Sequence, residues 1–191
     1  MNMLKLPQLC LILVSIWCAL YTATLHAKVY IDIEWTQLMP ADDLAALMNP
    51  PEFIVDIEDG TALDNVAALS ELSKGNDTAK RFKDALQSSR VIQAFNEQDI
   101  RLPGFIVPLE SDDNQRVTAF FIVPYFGACL HLPPPPPNQI VYVEYAKGVV
   151  LPNIQDPFWF EGTIIIDQTE NDLGSSAYTM KLDSVRPYEG S

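Results

Sequence analysis

Positive charge is scarce in this chain. It carries 12 Lys and Arg against 25 Asp and Glu, a formal net of −13. Such a surface repels phosphate backbones and anionic membranes, which excludes nucleic acid as the expected partner. Glycine is also sparse, 8 residues against 15 prolines, so connections are stiff rather than flexible. There are only 3 cysteines and 2 histidines. Missing too are a Gly-rich phosphate loop, Gly-x-Ser-x-Gly, Cys-x-x-Cys and His-Glu-x-x-His. No acid–base pair stands out, so an enzyme is the least expected of the function classes. What is present is apolar material: 48% of 191 residues, enough for a real core and for one domain with a short preface. General disorder is excluded.

Residues 1–27 have the parts of a cleavable signal peptide. Lys5 is the only charged side chain, an apolar run spans Leu9 to about Tyr21, and small residues lead to a cleavage point after Ala27. The run is shorter than the roughly 20 residues a membrane span needs. A retained N-terminal anchor is the alternative. Neither Cys10, after Leu9, nor Cys18, after Trp17, follows the small residue a lipoprotein signal requires. The expected product is a periplasmic protein without stable membrane insertion. Cleavage removes Lys5, Cys10, Cys18 and His26, leaving Cys129 and His131 as the single thiol and single imidazole. An internal disulfide is then impossible, and an unpaired thiol in an oxidising compartment requires burial, ligation, chemistry or an intermolecular bridge.

Residues 28–89 read as mostly helical or irregular. Ile31–Met48 resembles a docking segment, with Ala41-Asp42-Asp43 as an acidic helix start. Two short helical stretches fall at Ala62–Leu69 and around Leu72. Asn76-Asp77 caps a helix over Thr78–Ser89, with Phe82, Ala85 and Leu86 at helical spacing. From Arg90 the texture becomes β. Five strands are predicted, at Ile100–Leu109, Val117–Tyr125, Ile140–Tyr145, Phe158–Ile166 and Tyr178–Val185. Phe105-Ile106-Val107-Pro108 recurs as Phe121-Ile122-Val123-Pro124 across a polar turn, predicting an antiparallel hairpin. Pro108 and Pro124 belong at strand ends or bulges. The expected fold is mainly β with α: a small antiparallel OB-like barrel over 90–191 behind a helical segment. A plain β-sandwich is second.

One motif stands out. Cys129 and His131 are followed by Pro133, Pro134, Pro135, Pro136 and Pro137, then Asn138-Gln139. Two residues apart on an extended backbone, thiol and imidazole project to the same side. Five prolines favour a polyproline II rod rising roughly 3.1 Å per residue. Four readings compete. Cys129 can be a small buried hydrophobe beside a satisfied His131, with the prolines a stiff crossover. The pair can ligate Zn(II) or Cu, completed by carboxylates, for which Glu110, Glu144 and Glu161 are the candidates in or beside strands. A Cys–His nucleophile pair is disfavoured, because this spacing seldom brings the side chains to hydrogen-bonding distance. Finally, Pro133–Gln139 with Tyr125, Phe126, Tyr142 and Tyr145 can form a partner-binding surface for an envelope protein.

The Gly-Ala-Cys-x-His-x-Pro-Pro-Pro-Pro segment, with Leu102–Glu110 and Phe121–Gly127 before it, resembles an uncharacterised bacterial family of exported proteins and lipoproteins. The similarity covers about residues 30–188. Family members are often encoded beside ABC-type permeases, some in operons linked to metal supply. The resemblance therefore implies a periplasmic accessory role, with an ABC transporter component among the expected partners, and it favours the metal reading. The missing lipoprotein signal sets this chain apart from the lipid-anchored members.

Overall fold

The computed structural model describes residues 28–52, 71, 74–127, 135–171 and 173–189. The signal segment and the helical stretches expected at Ala62–Leu69 and Leu72 lie outside the described residues. Among the described residues there are six strands: β1 (Ile31–Asp32), β2 (Gln98–Ser111), β3 (Val117–Val123), β4 (Val141–Val149), β5 (Phe158–Asn171) and β6 (Gly174–Pro187). Helices α1 (Ala41–Leu47) and α2 (Asp77–Leu86) precede the long strands. The last five strands run in the order β2-β3-β4-β6-β5, and β5 pairs back onto β2, closing a barrel. All neighbours are antiparallel except β4 and β6, which pair in parallel at Val141–Tyr178 and Tyr142–Thr179. This is the five-stranded OB-like topology expected from the sequence.

The hairpin forms as predicted, and the echo pairs with itself: Phe105 faces Val123, Ile106 faces Ile122 and Val107 faces Phe121. Its turn is held by Asp112, whose carboxylate accepts from the amides of Asn114 at 2.9 Å and Arg116 at 2.8 Å. A register shift follows Pro108, and β3 stops at Val123, immediately before Pro124; neither proline offers a ladder donor.

β2 closes the barrel by changing partners midway. Gln98–Gly104 pairs with β5 and Phe105–Ser111 with β3. Gly104 sits at the change, where an added Cβ would lie 2.6 Å from Ile122 Cγ2 and 2.9 Å from the Val123 carbonyl. The edge of β2 that β3 leaves uncovered is taken by β1, in parallel at Ile31–Ile100 and Asp32–Arg101. Two residues carry no period, so this strand had no sequence signal.

Alternate residues point inward. Ile100, Leu102, Ile106, Phe120, Ile122, Val141, Val143, Phe160, Ile164, Tyr178 and Met180 form the core. The helical segment is built into it rather than appended. Leu38 is buried in the same cluster, and the Tyr178 hydroxyl donates to the Leu38 carbonyl while accepting from the Ile92 amide, both at 2.8 Å. Asn76 caps α2 as expected, its side chain accepting from the Ala79 amide at 3.0 Å. On the next turns Phe82 and Ala85 are buried and Leu86 is half-buried.

Asp43 is the polar anchor of this segment. It is fully buried on α1 and accepts from Arg81, Ser88 and Arg90 at 2.6–3.1 Å. Burial by itself pushes its carboxyl up, but hydrogen bonds from Arg90, Ser88 and Arg81 outweigh that and hold it below the usual carboxylate range. At the other end Lys28 bonds Asp183 at 2.7 Å, Thr163 at 2.8 Å and Asp99 at 2.9 Å, fastening residue 28 to the barrel wall.

Candidate functional site

The Cys-x-His-polyproline motif occupies the β3–β4 connection. Ala128–Pro134, which includes Cys129, His131, Pro133 and Pro134, lies outside the described residues; both flanks are described. On the entering side, Tyr125 is 45% and Phe126 39% exposed, and the Phe126 ring lies 6.4 Å from that of Phe105. Gly127, at φ +78°, turns the chain away from the strand direction.

The leaving side is held firmly. Pro135 and Pro136 are buried, and Pro137–Gln139 forms a single 3-10 turn leading into β4. Asn138 is fully buried. Its amide donates to the Ser88 carbonyl at 3.4 Å and its Nδ2 to the Arg90 carbonyl at 2.9 Å. Its Oδ1 has no hydrogen-bond partner among the described residues. Gln139 Nε2 donates to the Trp35 carbonyl at 2.8 Å, and Trp35 Nε1 in turn to the Pro103 carbonyl at 2.7 Å. Of the residues expected to face a partner, Pro135, Pro136, Asn138 and Gln139 are therefore buried, and the side-chain amides of Asn138 and Gln139 donate to the carbonyls of Arg90 and Trp35.

The entering flank joins a second apolar layer. Phe120 and Ile122 face the barrel core, while Phe121 and Val123 pack on the other side of β3 with Phe105, Val107, Leu109, Ile140 and Tyr142. Strand β3 is thus apolar on both faces. The unbroken run Ala119–Val123 was the sequence signal for this, since a strand buried on both faces loses its alternation.

The three candidate carboxylates separate into two places. Glu110 and Glu144 both pair across from Ala119 of β3, one from each neighbouring strand. Tyr142 donates to Glu144 at 2.9 Å. Its phenol is pushed up to about 12, first by burial, then by the Glu144 hydrogen bond and the charges of Glu144 and Glu110. Spectrophotometric titration should show one tyrosine ionising near that value, and Glu144→Gln should bring it down. A wild type in which no tyrosine ionises near that value would refute this environment.

Glu161 stands elsewhere, on β5 opposite Arg101, where it accepts from Ser184 at 2.6 Å and pairs with Arg186. On β2, Arg101 and Glu110 are nine positions apart. Ala119 lies four residues, about 13 Å along an extended strand, from the end of β3. Among the described residues no three His, Cys, Asp or Glu side chains converge as a metal site requires.

The family model described as a protein of unknown function, DUF3299, matches residues 35–187. A DUF3299 family protein from Pseudomonas aeruginosa, known from its crystal structure, is 35% identical, with 86% of this chain and 99% of that chain covered and a TM-score of 0.60. A comparison with the curated proteins found no match. The chain belongs to the DUF3299 family. The family of unknown function expected from the motif is met at this level.

Proposed function

We propose that this DUF3299 member is an exported periplasmic accessory protein that binds a transition metal, Zn(II) or Cu, through Cys129 and His131. The observation that carries this reading is the setting of the motif. A segment with the only thiol and imidazole of the mature chain springs from an apolar-backed strand end and returns to a clasped, buried turn. Thiolate and imidazole are the donor set that Zn(II) and Cu favour. For the completing carboxylate Glu110 is preferred, because Glu161 is engaged by Arg186 and Ser184 and Glu144 accepts from Tyr142. Lys28, the first residue after the proposed cleavage, is already fastened to the barrel, which suits removal of residues 1–27 without loss of a structural part. Service beside an ABC-type transport system follows from the resemblance and belongs to the same proposal.

Elemental analysis of mature protein purified without chelator tests it. Wild type should carry up to one equivalent of metal, and Cys129→Ser and His131→Ala should each remove most of it while keeping the fold. Affinity should fall as pH drops, since the thiol must lose its proton to ligate. Wild type that is metal-free and takes up neither Zn(II) nor Cu would sink the reading.

A second reading then takes its place: an interaction module that offers its aromatic flank to an envelope protein. The second apolar layer ending in exposed Tyr125 and Phe126 favours it. The partner would engage that flank rather than the buried end of the proline run.

A further inference from the structure

The barrel wall has a seam between β4 and β6. The two strands run parallel and are joined only at Val141–Tyr178 and Tyr142–Thr179. Past that joint β4 stays with β3, and β6 stays with β5. Among the described residues, no strand lies between the facing edges of 143–148 and 180–186. The loop 150–157 crosses the far end, where the Tyr188 amide donates to the Pro157 carbonyl at 2.9 Å.

The seam opens toward the core. Tyr145 on β4, Leu151 on the loop, and Leu182 and Val185 on β6 all pack against the buried cluster, yet each remains half-buried. On the same loop Val150 is 68% and Ile154 50% exposed. Open backbone edges beside uncovered apolar surface are what an added strand pairs with and covers.

Charge selects the kind of strand. Lys147 on β4 and Lys181 on β6 are exposed and have no carboxylate partner among the described residues; Lys147 lies over the Tyr145 ring at 5.7 Å. The carboxylates on these stretches are engaged, Glu144 by Tyr142, and Asp183 by Lys28 and Tyr30. In a chain with 25 acidic and 12 basic residues, the seam therefore carries unpaired positive charge. Lysines on an edge repel a second copy of that edge and favour acidic neighbours across the ladder. Met180 and Leu182 face the core, so Lys181 between them points outward.

We infer that the β4–β6 seam is an acceptor site for an extended acidic segment of another protein, in which apolar and acidic residues alternate. The apolar side chains cover Tyr145, Leu182 and Val185, and the carboxylates meet Lys147 and Lys181 on the outer surface. The site shares no residue with the Cys129–His131 connection and needs no metal.

The test uses full-length mature protein and a fluorescein-labelled Val-Glu-Val-Glu-Val-Glu-Val peptide, read by anisotropy and placed by amide hydrogen exchange. The peptide should bind and protect amides within 143–148 and 180–186, with the β2–β3 hairpin unchanged. Lys147→Glu combined with Lys181→Glu should weaken binding by at least about fivefold. A peptide with lysine at every glutamate should bind wild type weaker by a similar factor. Should the charge-reversed variant not fold, Lys147→Gln with Lys181→Gln replaces it and should weaken binding in the same direction. No binding, equal binding of the lysine peptide, unchanged affinity in the folded variant, or protection elsewhere on the barrel overturns the inference. So does wild type whose edge amides at 143–148 and 180–186 are fully protected before peptide is added, because the seam is then already filled by its own chain or by a second copy.

Discussion

Replacing Arg81 and Arg90 together by methionine should destabilise the protein by about 3–5 kcal/mol, and Asp43→Ala should cost less, about 2–3 kcal/mol. The order follows from exposure. The side chain of Asp43 is 0% exposed, whereas those of Arg81 and Arg90 are 39% and 52% exposed. Removing the carboxylate leaves guanidinium groups that still reach water and Asp42. Removing the guanidinium groups leaves a buried anion with only the Ser88 hydroxyl for company, which must be protonated to stay inside.

The pH dependence separates the two cases. In wild type the Asp43 carboxyl titrates below its ordinary value, so its contribution is full above about pH 4 and is lost as pH falls through the depressed value. In the double variant burial is opposed by the Ser88 hydrogen bond but no longer by the guanidinium groups, and it raises that carboxyl. A raised carboxyl gains stability as pH falls, so the gap between variant and wild type should narrow on acidification. Urea unfolding at neutral pH and near pH 4 reads both effects. Equal costs for the two variants, or a gap that widens in acid, would contradict this picture of the node.

Gly162→Ala should cost about 3 kcal/mol. The residue lies in β5 opposite Leu182, directly after a register shift, where the barrel wall turns. A Cβ there would stand 2.4 Å from the Lys181 carbonyl and 3.1 Å from the Leu182 Cα. Both are backbone atoms of the paired strand, so the contact is relieved only by parting β5 from β6. Gly75→Ala is the control. It has a positive φ of +78°, but among the described residues nothing lies within 4 Å of its Cβ, so only the left-handed backbone is penalised, by about 1 kcal/mol. Thermal unfolding of the two variants side by side would settle it: if Gly162→Ala is no worse than Gly75→Ala, the close approach of the strands does not limit the barrel.

Local signals carried much of this fold. The five long strands stand where β-branched and aromatic runs are bounded by turn residues. The hairpin forms between two copies of one tetrapeptide, and Asn76 starts α2 because its side chain caps the first turn. Such features are written within a few residues of each other, and the physical chemistry of turns, caps and alternation reads them directly. The donor types that Cys129 and His131 would offer are likewise read from the sequence, since donor type is a property of the residue and not of its surroundings.

Other features depend on residues that only closure brings together. Nothing near Ile31 announces that the half of β2 left uncovered by β3 will need an edge partner. The separation of Glu161 from Glu110 and Glu144 follows from β2 changing partners at Gly104, an event set by strand count and tilt rather than by any one strand. Asn138 and Gln139 read as the exposed end of a proline rod. They are buried because the carbonyls of Trp35, Ser88 and Arg90 lose water when the N-terminal segment packs on the barrel and must find donors. Which polar groups need satisfying is decided by desolvation, and desolvation exists only once distant parts of the chain have met.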